Sequence, residues 1–370
     1  MPERVLITGG AGFIGSHLAR ELLDHGYTVR ALDDLNPQVH ESGGRPSYLD
    51  PEVELVHGDC RDRDAVDRAL EGVEAVVHLA ARVGVGQSMY EIAEYTSVND
   101  LGTAVLLEAL LEREVGRLVV ASSMSVYGEG LYRDDSGAPV AVPERTKDDL
   151  LNRRWEPRGP SGQALEPVPT PESKPPALSS VYALNKYNQE RLCLLFGGAY
   201  DVPTIALRFF NVYGPHQALS NPYTGVLAIF ASRLLNDRPP LIFEDGEQRR
   251  DFVSVKDIAR GCRLALERRA ATGVVNLGSG AGYTVREIAA RLADVLGKQD
   301  IEPEVTGRYR VGDIRHCFAD ISRAREVLGY EPEVDLDKGM LDLAHWLEGQ
   351  VSTDRVDAAT EELERRGLTL

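Results

Sequence analysis

Tyr182 and Lys186 are the residues whose types and spacing point most directly to chemistry. They are four residues apart, so a helix that begins near Ser179 or Ser180 places the phenol and the ammonium on one face. A free tyrosine has a pKa of about 10, and a base that works near neutrality needs a pKa roughly 3 lower. A neighbouring ammonium favours the phenolate and lowers the pKa. The pair predicts a proton-transfer site, and a surface contact is the alternative interpretation.

A glycine-rich turn lies near the amino terminus, between the apolar run Val5–Ile7 and a helical pattern. Glycine at positions 9, 12 and 15 allows a tight turn, a close approach of a ligand, and close packing of the helix against the strand. Unpaired N–H groups at the helix start would face a pyrophosphate. The segment therefore predicts a dinucleotide site that includes Gly9, Gly12, Phe13, Ile14 and Gly15.

A second predicted strand ends in Asp33, at the spacing where a carboxylate holds the ribose hydroxyls of NAD. The same carboxylate would repel the extra phosphate of NADP. We therefore expect NAD as the cofactor. The alternative is a β-α-β turn that binds nothing, in which Asp33 caps a loop.

Apolar runs that are typical of strands recur along the first half of the chain, separated by helical patterns such as 62–70 and 101–112. The runs are Val5–Ile7, Val29–Leu32, Val53–His57, Ala75–Leu79, Leu118–Ala121 and Thr204–Leu207. This alternation predicts an α/β fold with a Rossmann-like, doubly wound parallel sheet. Such sheets bind ligands beyond the carboxyl ends of their strands. Asp59 and Cys60 follow the third strand and either reach the adenine or cap the next helix.

The chain has 370 residues, which exceeds one ordinary core and favours two lobes around a cleft. We expect an NAD-binding domain over 1–210 and a smaller α/β substrate lobe over 211–370, with some segments returning to the first domain. Helical patterns in the second lobe cover 226–236, 255–268, 285–296, 320–328 and 336–347.

The segment 133–178 interrupts the pattern, because seven of the twenty prolines lie between Pro157 and Pro176. We expect an insertion with little regular structure. A lid, a binding loop and a disordered segment all fit such a sequence.

The net charge and the cysteine content limit the classes of partner and the cellular location that we expect. A formal charge of −17 argues against nucleic acid and anionic membranes as partners. The cysteines are too dispersed for a local metal motif or a disulfide framework, which favours reduced thiols and a cytoplasmic location. Met1 runs into the first strand without a signal peptide, and no apolar run has membrane-spanning length. The four cysteines are Cys60, Cys193, Cys262 and Cys317.

Several ordered motifs together resemble the extended short-chain dehydrogenase/reductases, the family of nucleotide-sugar epimerases and dehydratases. The resemblance runs through Gly9–Gly15, His78–Ala81, Asn99, Ser122–Gly128, Tyr182–Lys186, Arg208–Pro215, Arg250–Phe252 and Gly312–Arg315. It implies an NAD-dependent enzyme in which Ser123 hydrogen-bonds the sugar hydroxyl and Tyr182 takes its proton. Lys186 would bind the nicotinamide ribose and lower the pKa of the tyrosine.

The same resemblance implies further contacts. Leu79, Ala80, Ala81, Asn99 and Phe210 would lie beside the cofactor. The substrate side would include Val83, Ser125, Asn211, Val226, Ile242, Glu244, Arg250 and Arg315. The two arginines would grip a diphosphate, and the strand 241–244 would hold the base through its main chain. A buried amide that satisfies a loop is the alternative for Asn99 and Asn211, and a solvated side chain is the alternative for each arginine.

The residues after Ser123 bear on the reaction. The family's 4,6-dehydratases carry Asp-Glu at the positions of Met124 and Ser125, and its decarboxylases carry glutamate at the second. Met124 and Ser125 carry no carboxylate and cannot take the roles of those acidic residues. The resemblance therefore favours C4 epimerisation, in which hydride leaves and returns and NAD is regenerated.

The substrate prediction comes from three segments, 83–90, 166–171 and 220–225, which most resemble the epimerases that act on dTDP-L-rhamnose. In those relatives the insertion carries paired cysteines suited to zinc. This chain has no cysteine between Cys60 and Cys193, so we expect no metal. The alternatives are a UDP-glucose or UDP-N-acetylhexosamine 4-epimerase, a UDP-glucuronate decarboxylase or related oxidoreductase, and a non-catalytic NAD-binding regulatory protein. By the same resemblance we expect a homodimer through the helices 101–112 and 182–195.

Overall fold

The computed structural model describes residues 3–40, 43–140, 142, 145–217, 225–309, 313–348 and 365–367. Its strands are β1 (Arg4–Thr8), β2 (Thr28–Asp33), β3 (Glu54–His57), β4 (Ala75–His78), β5 (Arg117–Ser123), β6 (Leu131–Arg133), β7 (Pro139–Val140), β8 (Glu166–Val168), β9 (Thr204–Phe209), β10 (Asn211–Tyr213), β11 (Leu241–Ile242), β12 (Arg249–Arg250), β13 (Phe252–Ser254), β14 (Gly273–Leu277), β15 (Tyr283–Thr284), β16 (Glu304–Val305) and β17 (His316–Cys317).

The helices alternate with these strands. They are α1 (Phe13–Asp24), α2 (Arg63–Ala69), α3 (Val85–Ser88), α4 (Ile92–Thr96), α5 (Gly102–Leu110), α6 (Lys147–Leu151), α7 (Val181–Ala199), α8 (Val226–Leu235), α9 (Val255–Glu267), α10 (Val285–Val295), α11 (Ser322–Leu328) and α12 (Leu336–Glu348). A π-helical turn spans Ser97–Leu101, and a 3₁₀ turn spans Met124–Tyr127.

Seven parallel strands of the described residues form the central sheet, in the order β3, β2, β1, β4, β5, β9 and β14. The order reverses at β1, which is the switch point of a doubly wound sheet. The central strands are apolar and buried on both faces because helices cover both sides. The predicted Rossmann-like fold class is confirmed.

Two helical layers enclose this sheet. One core joins it to α1, α9 and α11, and a second core joins it to α2, α5 and α7. A third core lies in the smaller lobe, where α8, α10 and α12 pack together. Short strands connect that lobe through the pairs β10 with β13, β11 with β16, and β12 with β15 and β17.

The insertion contains regular structure that the sequence analysis did not predict. Strands β7 and β8 both pair antiparallel with β6, and α6 lies between β7 and β8. The prolines that argued against strands are tolerated because these edge strands are two or three residues long. Regular structure in the described part of 133–178 is limited to these short elements.

Other boundaries differ by smaller amounts. The pattern over 101–112 corresponds to α5, which the π-helical turn precedes. Strand β14 is not among the predicted strands, and it joins the far edge of the sheet by pairing with β9. The segment 218–224, Gly312 and most of the carboxyl-terminal tail lie outside the described residues. In the part of the chain that the structure describes, no helix combines the length and apolar character that crossing a membrane requires.

Candidate active site

The glycine turn joins β1 to α1 at the carboxyl edge of the sheet. Gly9 has φ of +69°, which glycine adopts without strain, and its N–H donates to Leu32 O at 2.8 Å. A Cβ atom at position 15 would collide with Gly9 O, so the helix can pack this closely only with glycine there. The sequence thus sets a tight turn whose helix start opens into the cleft.

Asp33 closes the same turn from the end of β2. One carboxylate oxygen accepts from Ala11 N at 3.0 Å, and the other accepts from Leu35 N at 2.9 Å. His40 Nε2 lies 3.5 Å from the second oxygen. Tyr48 adds a support, because its hydroxyl donates to Ala11 O at 3.1 Å. Asp33 therefore fixes the glycine turn and also lines the cleft.

The first turn of α7 carries Tyr182. Ser180 caps the helix and accepts from Ala183 N at 3.1 Å, and Tyr182 N donates to Ser88 Oγ at 3.0 Å. Burial raises the pKa of the Tyr182 phenol, while a hydrogen bond with Ser123 lowers it. Tyr182 and Ser123 both line the same cleft.

A buried ion pair anchors α7 on the sheet. Glu190 accepts from Arg208 Nη2 at 2.7 Å and from Arg208 Nε at 2.9 Å. The Ser122 hydroxyl donates to the same carboxylate at 2.7 Å. Since Ser122 precedes Ser123 on β5, this contact sets the helix that carries Tyr182 against the strand that carries the serine.

Lys186 is 3% exposed and lines the cleft. Its ammonium donates to Gln189 Oε1 at 2.7 Å. Gln189 Nε2 in turn donates to Thr103 Oγ1 at 2.9 Å and to Ala80 O at 3.3 Å, which fixes the orientation of the amide. Burial lowers the pKa of Lys186 to about 8. The ammonium is thus held by a neutral acceptor.

His78 connects this group to the end of β4. The ring lies 2.7 Å from Thr8 Oγ1 through Nδ1 and 2.9 Å from Thr103 Oγ1 through Nε2. Burial lowers the pKa of His78 to about 3, so the ring is neutral. Asn99 extends the support: its Oδ1 accepts from Arg82 N at 2.7 Å and its Nδ2 donates to Arg82 O at 3.1 Å. These contacts fix the path of residues 80–82 along the cleft.

One cleft collects most of the predicted site residues. Those that line it are Gly9, Gly12, Phe13, Ile14, Gly15, Asp33, Asp59, Cys60, Leu79, Ala80, Ala81, Val83, Ser123, Tyr182, Lys186, Phe210, Asn211 and Val226. Asn99, Ser125, Ile242, Glu244, Arg250 and Arg315 do not line it. Asp59 accepts from Arg61 N at 2.7 Å, and the cap of α2 is Asp62, so the alternative of Asp59 as that cap is wrong.

The residues predicted to hold the diphosphate and base lie in a charged cluster of the second lobe. Arg315 donates to Glu244 Oε2 at 2.9 Å, to Asp245 Oδ1 at 2.7 Å and to Glu156 Oε1 at 2.9 Å. Arg145 of the insertion donates to Glu244 Oε1 at 2.7 Å. Carboxylates thus occupy the guanidinium of Arg315, and its diphosphate role remains a prediction.

Ile242 and Arg250 also lie in that lobe. Ile242 is buried in the α8, α10 and α12 core, and its carbonyl accepts from Thr306 N at 2.9 Å. Arg250 lies 3.2 Å from Asp313 Oδ1 and donates to the carbonyls of Ile314 and Arg315. Ile242 and Arg250 do not line the described cleft, so they could contact the substrate only if part of it extended beyond that cleft into the second lobe.

Sequence reasoning missed several residues at the site. Gln38, His40 and Gln217 line the cleft, and Gln189 holds Lys186. Gln189 is one helical turn beyond Lys186, and this spacing was a usable signal. The loop residues carried no periodic signal, because their positions depend on contacts such as Gln38 Nε2 to Gln87 Oε1 at 3.1 Å.

A known protein family matches most of this chain. The model described as "NAD dependent epimerase/dehydratase family" matches residues 5–149 and 159–278. The chain belongs to this family. It is accordingly an NAD-dependent enzyme of the nucleotide-sugar epimerase group, as the resemblance predicted.

Among its relatives, dTDP-L-rhamnose 4-epimerase of Burkholderia thailandensis is 35% identical over 356 residues, covering 93% of this chain and 95% of the relative. UDP-glucose 4-epimerase of Bacillus subtilis is 31% identical, with coverages of 94% and 98%. The structure of UDP-glucose 4-epimerase of Thermus thermophilus in complex with NAD superimposes with a TM-score of 0.74 at 31% identity, covering 94% of this chain and 100% of that chain. UDP-N-acetylglucosamine 4-epimerase of Methanobrevibacter ruminantium gives 0.78 at 30% identity, with coverages of 95% and 100%.

The residues present fit NAD. Gly12 lines the cleft without a side chain, and Asp33 lies at the end of β2 where a ribose would approach. Asn211 Oδ1 is buried in the cleft wall and has no hydrogen-bond partner among the described residues. A buried acceptor without a partner costs free energy unless a ligand supplies a donor.

Proposed function

We propose that this protein is a nucleotide-sugar 4-epimerase whose acid and base is Tyr182. The observation that carries the proposal is that Tyr182, Ser123 and Lys186 line one cleft together with the glycine turn. A phenol, a hydroxyl and an ammonium at one cleft match a reaction that takes a proton from an alcohol. Intact triad residues also argue against a non-catalytic regulatory protein.

In the proposed mechanism, the Tyr182 phenolate accepts the proton of the sugar C4 hydroxyl while Ser123 hydrogen-bonds that oxygen. When bound, NAD supplies a reversible hydride acceptor for the hydrogen on C4. Lys186 favours the phenolate by its charge. The 4-keto sugar would then present its other face to the bound cofactor, and Tyr182 would return the proton to the C4 oxygen. The net change is inversion at C4, with no oxidant or reductant consumed.

The neighbours of Ser123 support epimerisation over the alternative reactions of the family. Met124 is buried and carries no ionisable group, and Ser125 is not a carboxylate. Elimination across C5 and C6 needs an acid and a base at the sugar. We therefore assign no dehydration or decarboxylation step.

We propose that residues 1–210 bind NAD and that 211–370, except segments such as β14, bind the substrate. The proposed cofactor contacts are the residues that were predicted to bind NAD and that line the cleft. Asn99 does not line it and would support the cofactor by fixing the backbone of Arg82. On the substrate side we propose Val83, Ser123, Asn211 and Val226 in the cleft. Arg250 and the main chain at 241–244 would meet the nucleotide.

We propose a dTDP-hexose such as dTDP-L-rhamnose as the substrate. Val83, Val85, Val226 and Leu227 give part of the cleft wall an apolar character, which suits the methyl group of a 6-deoxyhexose. The Lys, Arg and His side chains on the described lining are His40, Arg82 and Lys186, and Arg82 lies 3.4 Å from Glu94. No further cation in this part of the lining would bind a uronate carboxylate. The 35% identity to the Burkholderia enzyme also supports this substrate.

The test is a substrate panel with the purified, NAD-loaded full chain. We expect dTDP-L-rhamnose to be converted to its C4 epimer, and UDP-glucose, UDP-N-acetylglucosamine and UDP-glucuronate to be converted more slowly or not at all, as separated by chromatography. Tyr182→Phe provides the control. If a UDP-sugar turned over faster than dTDP-L-rhamnose, that sugar would replace dTDP-L-rhamnose as the assigned substrate. If NAD were bound and no sugar gave a product, the proposal that the protein is an epimerase would be contradicted.

We also propose a cytoplasmic homodimer. Leu111, Leu184, Leu195 and Tyr200 are exposed large apolar residues on or beside α5 and α7, the helices predicted to pair. The four cysteines are free and buried, which fits a reducing compartment. A monomeric mass in light scattering would contradict the dimer, and recovery outside the cytoplasm in cell fractionation would contradict the location.

A further inference from the structure

Ser125 lies two residues after Ser123, in the 3₁₀ turn that Ser123 caps. It is 7% exposed and does not belong to the cleft lining. Its backbone N–H donates to Ser123 Oγ at 3.2 Å, and its hydroxyl oxygen lies 3.0 Å from Ser123 Oγ. The Ser125 carbonyl accepts from Gly128 N at 3.3 Å, whereas its N–H and its hydroxyl both contact the Ser123 oxygen.

The hydrogen-bond capacity of Ser123 restricts the directions of these contacts. A serine hydroxyl has one proton to donate and two lone pairs. The Ser125 N–H takes one lone pair. The single Ser123 proton is then left to donate into the cleft that Tyr182 also lines, to the phenolate when no sugar is bound and to the sugar C4 oxygen when substrate is bound. The second lone pair of Ser123 is left for the hydroxyl of Ser125.

When no sugar is bound, the same chain of hydroxyl groups also suits the neutral phenol. A protonated Tyr182 donates to Ser123 Oγ and fills the second lone pair. The Ser123 proton then turns to Ser125 Oγ, which can accept it. Ionisation of Tyr182 therefore reverses two hydroxyl groups, and Ser125 completes the hydrogen bonds of Ser123 in both states. An alanine at 125 would leave the backbone N–H contact and remove the reversible one.

We propose that Ser125 is a positioning residue that orients the Ser123 hydroxyl toward Tyr182 and so stabilises the phenolate. The inference rests on the proposed function of Tyr182. It replaces a direct contact of Ser125 with the sugar by an action through Ser123. Ser125 touches no reacting atom in this assignment.

The first test measures kcat and KM across pH for the NAD-loaded Ser125→Ala and Ser125→Thr variants. For Ser125→Ala we expect kcat to fall about tenfold, the effect of one hydrogen bond to a charged group. We expect KM to stay unchanged and the acidic limb of the kcat profile to move to higher pH. Threonine keeps the hydroxyl and should restore both. Ser161→Ala removes an exposed hydroxyl of the insertion and serves as the matched control.

Two outcomes would overturn the assignment. A rise in KM with an unchanged kcat profile would show that Ser125 contacts the sugar. An equal loss of kcat at every pH, with no rescue by threonine, would show a purely structural role.

A second measurement does not depend on turnover. Tyrosinate absorbance of the holoenzyme, taken as the difference from Tyr182→Phe, reports the titration of Tyr182. Ser125→Ala should move this titration to higher pH, and an unmoved titration would overturn the inference even if no tested sugar is a substrate. An inactive wild type with a moved titration would instead count against the proposed function alone.

Discussion

Two buried cations show how differently the two halves of the molecule use positive charge. The ammonium of Lys186 lines the cleft and donates to one neutral acceptor, Gln189. The guanidinium of Arg315, 1% exposed, lies away from the cleft lining and is bonded to carboxylates that include Glu244 and Asp245. The Lys186 ammonium therefore retains N–H donors for a ligand, whereas the N–H donors of Arg315 are bonded to carboxylates of the protein itself.

The pKa directions agree with this difference. Burial lowers the pKa of Lys186 to about 8, because the negative charge of nearby Glu190 offsets the desolvation of the ammonium only in part. Burial alone would also lower the pKa of Arg315, but hydrogen bonds with Asp245 and Glu156 raise it. A buried cation that faces a cleft with neutral partners indicates a ligand site, and a buried cation surrounded by carboxylates indicates a structural one.

The largest expected effect tests whether the reaction takes place in the cleft that Lys186 lines rather than at the Arg315 cluster. Tyr182→Phe should lower kcat by about 10³-fold, within the usual range for loss of an acid and base. The melting temperature and the NAD content should stay close to wild type, because the ring is retained. Epimerisation assays, calorimetry and NAD release on denaturation measure these quantities. An active phenylalanine variant would contradict the assigned role.

The next prediction tests the structural role of Arg315. Arg315→Met leaves Glu244 buried without one of its partners and should lower the free energy of unfolding by about 3–5 kcal/mol. Urea unfolding measures the change. If Arg315 bound the diphosphate instead, the main effect would be a rise in KM with little loss of stability.

A matched control uses the same substitution at an exposed ion pair. Arg325 lies 2.9 Å from Glu331, and both side chains are more than half exposed. Arg325→Met should change the free energy of unfolding by about 1 kcal/mol or less. Equal losses in the two methionine variants would remove the distinction between the buried cluster and the surface.

The smallest expected effect concerns pH dependence at Lys186. The ammonium favours the phenolate and is lost as pH rises through about 8, so kcat should fall above that pH. Gln189→Leu removes the acceptor of the ammonium and should move this basic limb to lower pH. Gln189→Glu places a carboxylate there and should move it to higher pH. Shifts in the same direction would show that Gln189 affects folding rather than the lysine charge.

Much of the cofactor half was predictable because its signals are local. The apolar runs before Gly9 and Asp33 became β1 and β2, and the four-residue spacing of Tyr182 and Lys186 became one face of α7. Strand β14 was missed because its five residues become a strand through pairing with β9, some seventy residues earlier in the chain. The same reason explains β6, β7 and β8 in a segment that the prolines had marked as irregular.

The sequence by itself determined the glycine turn, the parallel sheet and the chemical types at 123, 182 and 186, since backbone freedom and periodic burial are encoded within a few residues. Tertiary structure decided which charges remain available. The sequence alone offered no reason to distinguish Arg250 from Arg315. What each guanidinium can bind depends on the carboxylates that surround it, and these come from distant parts of the chain. Local pattern sets the shape of the backbone, and long-range contacts set the partners of each side chain, because hydrogen bonds and desolvation depend on neighbours in space.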